Sequence, residues 1–305
     1  MQTFDFCFAW SWPYDDAFAN LLRQACQEQQ ITLLQVTPDN IDLVLEQLSA
    51  GELYFRVFFD RASDGDARFA PLAAWAYQQN IDYLNRFWLA QRSWDKATMH
   101  HLFTRSGLDA PYTIILPSYQ DSPGLPDLDL SPLGEIFIIK PAHGGGGAGV
   151  LAGAFNWEQV LQARQQFPKD QYLLQAQARP TWLDGRLAWF RLLYCLEQFY
   201  PCWWDPHTHI YTPLTTAEQS AYGLEALSEI CLRIAQLCHL ELFSSEVALT
   251  ESKRFLVVDY INDPIDLRPR SLFPQGVPDP IVNEIVLSLA AYAAACCARG
   301  ATYAG

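Results

Sequence analysis

"FIIKPAHGGGGAGV", residues 137–150, sets a lysine, a proline and five glycines behind an apolar run. That much bare backbone beside one positive charge suits a hairpin whose N–H groups close over an anionic ligand, because side chains would block the approach. Lys140 strengthens the reading, since a lysine ending an apolar strand is costly without an anionic partner. Gly144, Gly146 and Gly149 satisfy G-x-G-x-x-G, the dinucleotide fingerprint, but that motif needs a helix directly after it, and the next helix signal waits until Asn156. A P-loop would need a lysine and a hydroxyl after the last glycine, where Val150 and Leu151 stand. What remains is a flexible lid joining two antiparallel strands, with a plain glycine-rich turn as the bland alternative.

Upstream, residues 1–92 alternate apolar strand-like runs with helical ones, from "FDFCFAW" and "DDAFANLLRQACQEQQ" to "RFAPLAAWAYQQN" and "IDYLN". Strand and helix in turn predict a small parallel α/β domain. Asp15 or Asp16, and Asp39 or Asn40, stand where helix caps belong. From Ser93 comes a helix, "WDKATMHHLFTRSG", then strand "APYTIIL" and a loop over 117–132. Past the glycines, Asn156 with Gln159 marks another helix start. Strand "QYLLQAQA" follows, and the last third reads as α+β, with strand "RLAWFRLLYCL", one helix near 217–239, a hairpin, and a packed final helix.

Composition bounds the function. The chain has 305 residues, half of them apolar, and a formal charge of -14, which argues against nucleic-acid or membrane-surface binding. Only four lysines occur, Lys96, Lys140, Lys169 and Lys253, so each position is informative. Eight cysteines without a CxxC pair, behind an N-terminus unlike a secretory signal, suggest reduced thiols in the cytoplasm. The apolar part of "EIVLSLAAYAAACCARG" runs for only about a dozen residues, short of the ~20 that span a bilayer.

In "SSEVALTESKRFLVVDYIND", two strands around a polar turn place Glu246 opposite Val258 or Asp259, and Asn262 adds an oxygen where the second strand ends. An oxygen-only Mg²⁺ site shared with phosphates fits this set, and a solvated hairpin with its acids outside is the alternative. "HTH" at His207 and His209 lacks a third zinc ligand, and ordinary strand histidines are the better reading.

The order of these pieces, "DK…G", then "KP..GGGG.GV", then an acidic hairpin, resembles the ATP-grasp superfamily over most of the chain. The layout is most similar to glutathione synthetases and ribosomal-protein glutamate ligases. The resemblance implies an N-terminal Rossmann-like domain (1–92), a small central α+β subdomain (93–175) and a C-terminal α+β subdomain (176–305), with Mg²⁺ and ATP between the last two. It implies Lys96 and Lys140 as phosphate-contacting lysines, beside His143, Gly144, Gly145, Gly146, Gly147 and Gly149. Gln175, Ala176, Gln177 and Ala178 match the hinge whose backbone reads adenine, with Asp184 as a candidate for the ribose. Glu246, Asp259 and Asn262 fall at the metal positions. The family's usual Glu-x-Asn here becomes Asp259-Tyr-Ile-Asn262, one residue longer, which leaves Asp263 as an alternative to Asn262. Arg186, in "LDGR", matches the family's strand start, and with Arg268 it is assigned to the transferring phosphoryl group; Arg56 is a candidate for a substrate carboxylate. The implied activity is carboxylate–amine ligation of small-molecule or peptide substrates through an acylphosphate. A kinase of the same fold and a non-catalytic nucleotide-binding module are the alternatives.

Overall fold

The computed structural model describes residues 1–126 and 128–302, with side chains through Arg299. It opens with β1 (Gln2–Trp10), α1 (Asp16–Glu28), β2 (Leu33–Val36), α2 (Ile41–Ser49), β3 (Leu53–Arg61), α3 (Ala70–Gln78) and β4 (Asp82–Leu84). The strands form a parallel sheet in the order β2-β1-β3-β4, the arrangement that strand–helix alternation predicts. Period-2 alternation divides its two faces: Phe6, Phe8, Val57 and Phe59 join one core, while Cys7, Ala9 and Phe58 join another. The cap expectations fail in detail. Asp15 precedes α1 but makes no capping bond, because its carboxylate accepts from Nε and Nη2 of buried Arg61 at 3.1 and 2.8 Å. Asn40 likewise accepts from the Thr37 N–H outside α2.

Helices α4 (Phe87–Trp94) and α5 (Lys96–Arg105) lead into an antiparallel sheet of β5 (Thr113–Leu116), β6 (Phe137–Pro141), β7 (Leu151–Ala154) and β8 (Tyr172–Ala176), ordered β5-β8-β6-β7. Asp95 caps α5 through the N–H groups of Ala97 and Thr98, which fixes Lys96 as its first residue. Between β7 and β8 runs α6 (Trp157–Gln166), capped by Asn156 as expected.

A short hairpin of β9 (Trp182–Leu183) and β10 (Arg186–Leu187) precedes β11 (Trp189–Cys195), β12 (Gln198–Asp205), β13 (Ile210–Pro213), α7 (Thr216–Tyr222), α8 (Ala226–Cys238), β14 (Leu242–Leu249) and β15 (Phe255–Asn262). The five strands β13-β12-β11-β14-β15 form the second antiparallel sheet. The single helix expected near 217–239 is two. Gly223 ends α7 in the left-handed conformation (φ +66°), and a capping box of Thr215 and Glu218 opens it.

The last helix, α9 (Asp279–Thr302), is longer than its apolar run suggested. Asp279–Arg299 is long and apolar enough to cross a membrane on length and composition alone. In this fold Val282, Ile285, Leu289, Ala290 and Ala293 are buried together with Phe18 and Leu22 of α1. The chain's end therefore packs onto α1 in a core that also holds Leu193, Cys195 and Trp204 of the second antiparallel sheet.

Candidate active site

The two antiparallel sheets face each other across a cleft of about 730 Å³. Its cationic wall comes from the four-stranded sheet. On β6, Ile138 and Lys140 share one face, and both line the cleft. Lys140 is only 6% exposed, donates to the Val258 carbonyl at 3.2 Å across the cleft, and lies 5.4 Å from the centre of the Tyr260 ring. Burial pushes its pKa down; Asp259 resists that shift and Lys96 adds to it. Lys96 itself reaches the Gly144 carbonyl at 2.5 Å, tying α5 to the glycine hairpin.

His143, Gly144, Gly145, Gly146 and Gly147 line the cleft as expected. Gly146 and Gly147 have φ values of +61° and +78°, a region that non-glycine residues seldom enter. His143 is tethered at the rim by Asp170, which accepts from its backbone N–H at 2.8 Å and faces its Nδ1 at 2.9 Å. Gly149 does not line the cleft. A Cβ there would come within 2.5 Å of the Phe167 ring, so this glycine serves hairpin packing rather than ligand approach.

The acidic wall comes from β14 and β15, where the register pairs Glu246 with Asp259, one of the two partners expected. Trp189 Nε1 donates to Glu246 Oε2 at 3.0 Å, and the Arg191 guanidinium binds Oε1. Burial raises the Glu246 pKa, with Arg191 pulling it back and Asp259 adding to the rise. Burial also opposes the charge on Asp259, yet Lys140, Lys96 and Arg191 hold its carboxyl below the ordinary value. Asn262 Nδ2 donates to Asp259 Oδ2 at 3.1 Å. Asp263 instead accepts from Asn85 Nδ2 at 2.5 Å, so Asn262 is the residue beside the carboxylate pair. Two carboxylates and an amide oxygen, in register and desolvated, form the hard-oxygen donor set that suits Mg²⁺. Among the described residues, no cluster of three or more His, Cys, Asp or Glu offers another metal site.

Several predicted residues fall elsewhere. Arg186 pairs with Glu218 at 3.3 Å, lies over the Trp203 ring, and lines a separate cavity with Trp182, Trp204 and His207. Arg268 pairs with Asp266 at 2.6 Å and is enclosed by the rings of Trp12, Tyr14 and Phe273. Neither lines the cleft. Both cations found nearby acids, whereas the arginine bound to Glu246 of the carboxylate pair is Arg191 on β11, its register partner. A guanidinium flanked by Phe190 and Leu192 in a buried strand demands an acid opposite, and that was its sequence signal. Arg56 is exposed, 3.9 Å from Asp5, and does not line the cleft either.

At the hinge, Gln175 lines the cleft, whereas Ala176, Gln177 and Ala178 do not. The Ala176 N–H is consumed by the Tyr112 carbonyl at 2.9 Å. Asp184 lies in the β9–β10 turn, where it accepts from the Tyr222 hydroxyl, away from the cleft.

No family profile and no characterised protein matches the sequence. Solved structures do match. A RimK-domain ATP-grasp protein from Sphaerobacter thermophilus aligns with a TM-score of 0.60 at 19% identity, over 93% of this chain and 99% of its own. The D-alanine–D-alanine ligase of Bacillus anthracis, solved with ATP, aligns with a TM-score of 0.65 at 9% identity over 100% of both chains. The ATP-grasp ligase PsnB, solved with a minimal precursor, Mg and ADP, aligns with a TM-score of 0.61 at 12% identity over 96% of this chain and 98% of its own. At such identities the likeness speaks for architecture, and by that architecture the chain has the ATP-grasp fold along its whole length.

Proposed function

We propose that the chain is an Mg²⁺- and ATP-dependent carboxylate–amine ligase. The observation that carries the reading is the convergence, in one cleft, of Lys96, Lys140 and the glycine hairpin with Glu246, Asp259 and Asn262. Lys140, buried and desolvated, would hold a phosphate oxygen with a charge-assisted hydrogen bond, and Lys96 would exchange its hold on Gly144 for a second one. The hairpin N–H groups would close over the phosphates and exclude water, as glycines with open space around them allow. Glu246, Asp259 and Asn262 would hold Mg²⁺, which would supply positive charge to stabilise the phosphates during transfer.

In this chemistry the terminal phosphoryl group passes to a substrate carboxylate oxygen, and ADP leaves. An amine then attacks the acyl carbon, forming the amide and releasing orthophosphate and a proton. No protein nucleophile is needed, which agrees with cysteines that are nearly all buried and, at Cys195, Cys202, Cys231 and Cys238, have thiol pKa values pushed up by burial. A cytoplasmic location belongs to the same proposal, since all eight cysteines are free thiols. Small-molecule and peptide acceptors both remain within it; the similar structures include a D-alanine–D-alanine ligase and a ligase solved with a minimal precursor.

The test is incubation with Mg-ATP and pooled amino acids and short acidic peptides, read by mass spectrometry and phosphate release. Ligation predicts one orthophosphate per amide formed. A stable phosphorylated acceptor without amide would make the protein a kinase instead.

A further inference from the structure

The glycine hairpin is pinned at its root and open at its tip. The Ala142 N–H donates to the Gln171 carbonyl at 2.8 Å, the Lys96 N–H to the Ala142 carbonyl at 2.9 Å, and the His143 N–H to Asp170 Oδ2 at 2.8 Å. At Gly145, Gly146 and Gly147, by contrast, an added Cβ would meet nothing within 4 Å. His143 is the last side chain before the glycine run, so its place is set by the root.

Asp170 also sets the ring. Its Oδ1 lies 2.9 Å from His143 Nδ1, and because a carboxylate only accepts, Nδ1 keeps its hydrogen. The other nitrogen, Nε2, then carries a lone pair in the neutral ring and a hydrogen only in the imidazolium. Among the described residues nothing bonds it. The side chain is 61% exposed and lines the cleft, so Nε2 exchanges protons with solvent beside whatever the cleft holds.

Two effects compete over that proton. Asp170 favours the imidazolium, as an opposite charge at hydrogen-bond distance does. Lys96 of α5 and Lys140 of β6, which line the same wall, oppose a third positive charge beside them. The remaining charged groups of the cleft are Asp64, Glu246, Asp259 and Asp263. An arriving phosphate offsets the lysines and shifts the balance towards protonation.

We propose that His143 is a proton-linked latch: nucleotide binding draws one proton from solvent onto Nε2, which then donates to a phosphate oxygen, and the hold of the cleft loosens as pH rises. This rests on the nucleotide-binding reading above and adds to it a regulation by ambient pH. Asp170 acts through the ring, as its positioning residue.

The experiment is calorimetric titration of MgADP into the wild type, His143→Gln and Asp170→Asn at about pH 6 and about pH 8, the range over which an imidazole changes charge. Titrations near pH 7 in two buffers of different ionisation enthalpy count the protons taken up, and melting temperatures check folding. The wild type should bind about tenfold tighter than His143→Gln at the lower pH, the size of one charge-assisted hydrogen bond, and within about twofold of it at the higher. Near pH 7 it should take up about half a proton more than His143→Gln. Asp170→Asn should lose that extra uptake, because its amide can donate to Nδ1 and leave the neutral ring with its hydrogen on Nε2. The nucleotide's phosphate and Asp263, whose carboxyl burial pushes up to about 7, titrate in the same window but alike in all three proteins. His143→Gln, at an exposed site, should melt as the wild type does. A ratio of affinities that is the same at both pH values, or equal proton uptake in wild type and His143→Gln, would overturn the latch, and uptake retained in Asp170→Asn would overturn the role given to Asp170. Failure of the wild type to bind MgADP at either pH would instead overturn the reading on which the latch rests.

Discussion

On one wall of the cleft Lys140 of β6 hydrogen-bonds only a backbone carbonyl and Lys96 of α5 holds a hairpin carbonyl, while on the facing sheet Glu246 is fastened by Arg191 and Trp189 and Asp259 by Asn262. The cationic wall has loose, replaceable partners, and its glycine hairpin has open space around Gly145, Gly146 and Gly147. The acidic wall is locked by side chains. The difference teaches what the proposed function would ask of each wall: one would grip and release an anion, and the other would be a fixed seat for a cation.

The comparison breaks most visibly at Arg191. Its guanidinium and the Glu246 carboxylate are 12% and 13% exposed, and removing one member of such a pair strands a buried charge. Arg191→Ala should lower unfolding free energy by about 3–5 kcal/mol in urea denaturation. A loss under about 1 kcal/mol would mean that the acidic wall is not locked.

The hairpin sharpens the contrast through its glycines. Gly149→Ala meets both a left-handed φ of +72° and the Phe167 ring, and should destabilise by about 1–3 kcal/mol. Gly145→Ala, with nothing within 4 Å and no left-handed φ, should stay within about 0.5 kcal/mol of wild type. Its effect should appear in nucleotide affinity instead. Equal destabilisation by the two would contradict a hairpin anchored at one end and open at the other.

The smallest effect lies between the walls, at His100. Its folded-state pKa of about 4 is below the ordinary 6.5, so its contribution to stability is fully present above pH 6.5 and is lost as pH falls towards 4. Unfolding free energy measured at pH 7 and pH 4.5 should drop more in wild type than in His100→Gln, by about 1–2 kcal/mol. An identical drop would show that the imidazole is not held neutral.

Local patterns made much of this legible in sequence. The apolar run that Lys140 ends singled out that lysine, turn chemistry made the glycines a hairpin, and two strands around a polar turn put Glu246 opposite Val258 or Asp259, of which the register takes Asp259. What escaped depends on geometry between segments. Arg186 and Arg191 share one stretch of sequence, but the two-stranded hairpin ends before β11 begins, and only Arg191 has an acid as its register partner. Arg268 was diverted by three aromatic rings, two of them from the β1–α1 loop, a contact more than 250 residues away in the chain. Arg61, buried against Asp15 at the end of β3, gave no motif at all. The return of α9 to the first domain was hidden for the same reason, since an apolar helix does not say which apolar face it will cover.

The most direct measurement is calorimetric titration of ADP with and without Mg²⁺ into the wild type and Lys140→Ala. Binding should be one-to-one and weaken at least about tenfold without the metal. Removing the buried ammonium should weaken it by about 2 kcal/mol more, the worth of a charge-assisted hydrogen bond. Absence of binding at millimolar ADP, or binding indifferent to both metal and Lys140, would contradict a phosphate clamp built from these two walls.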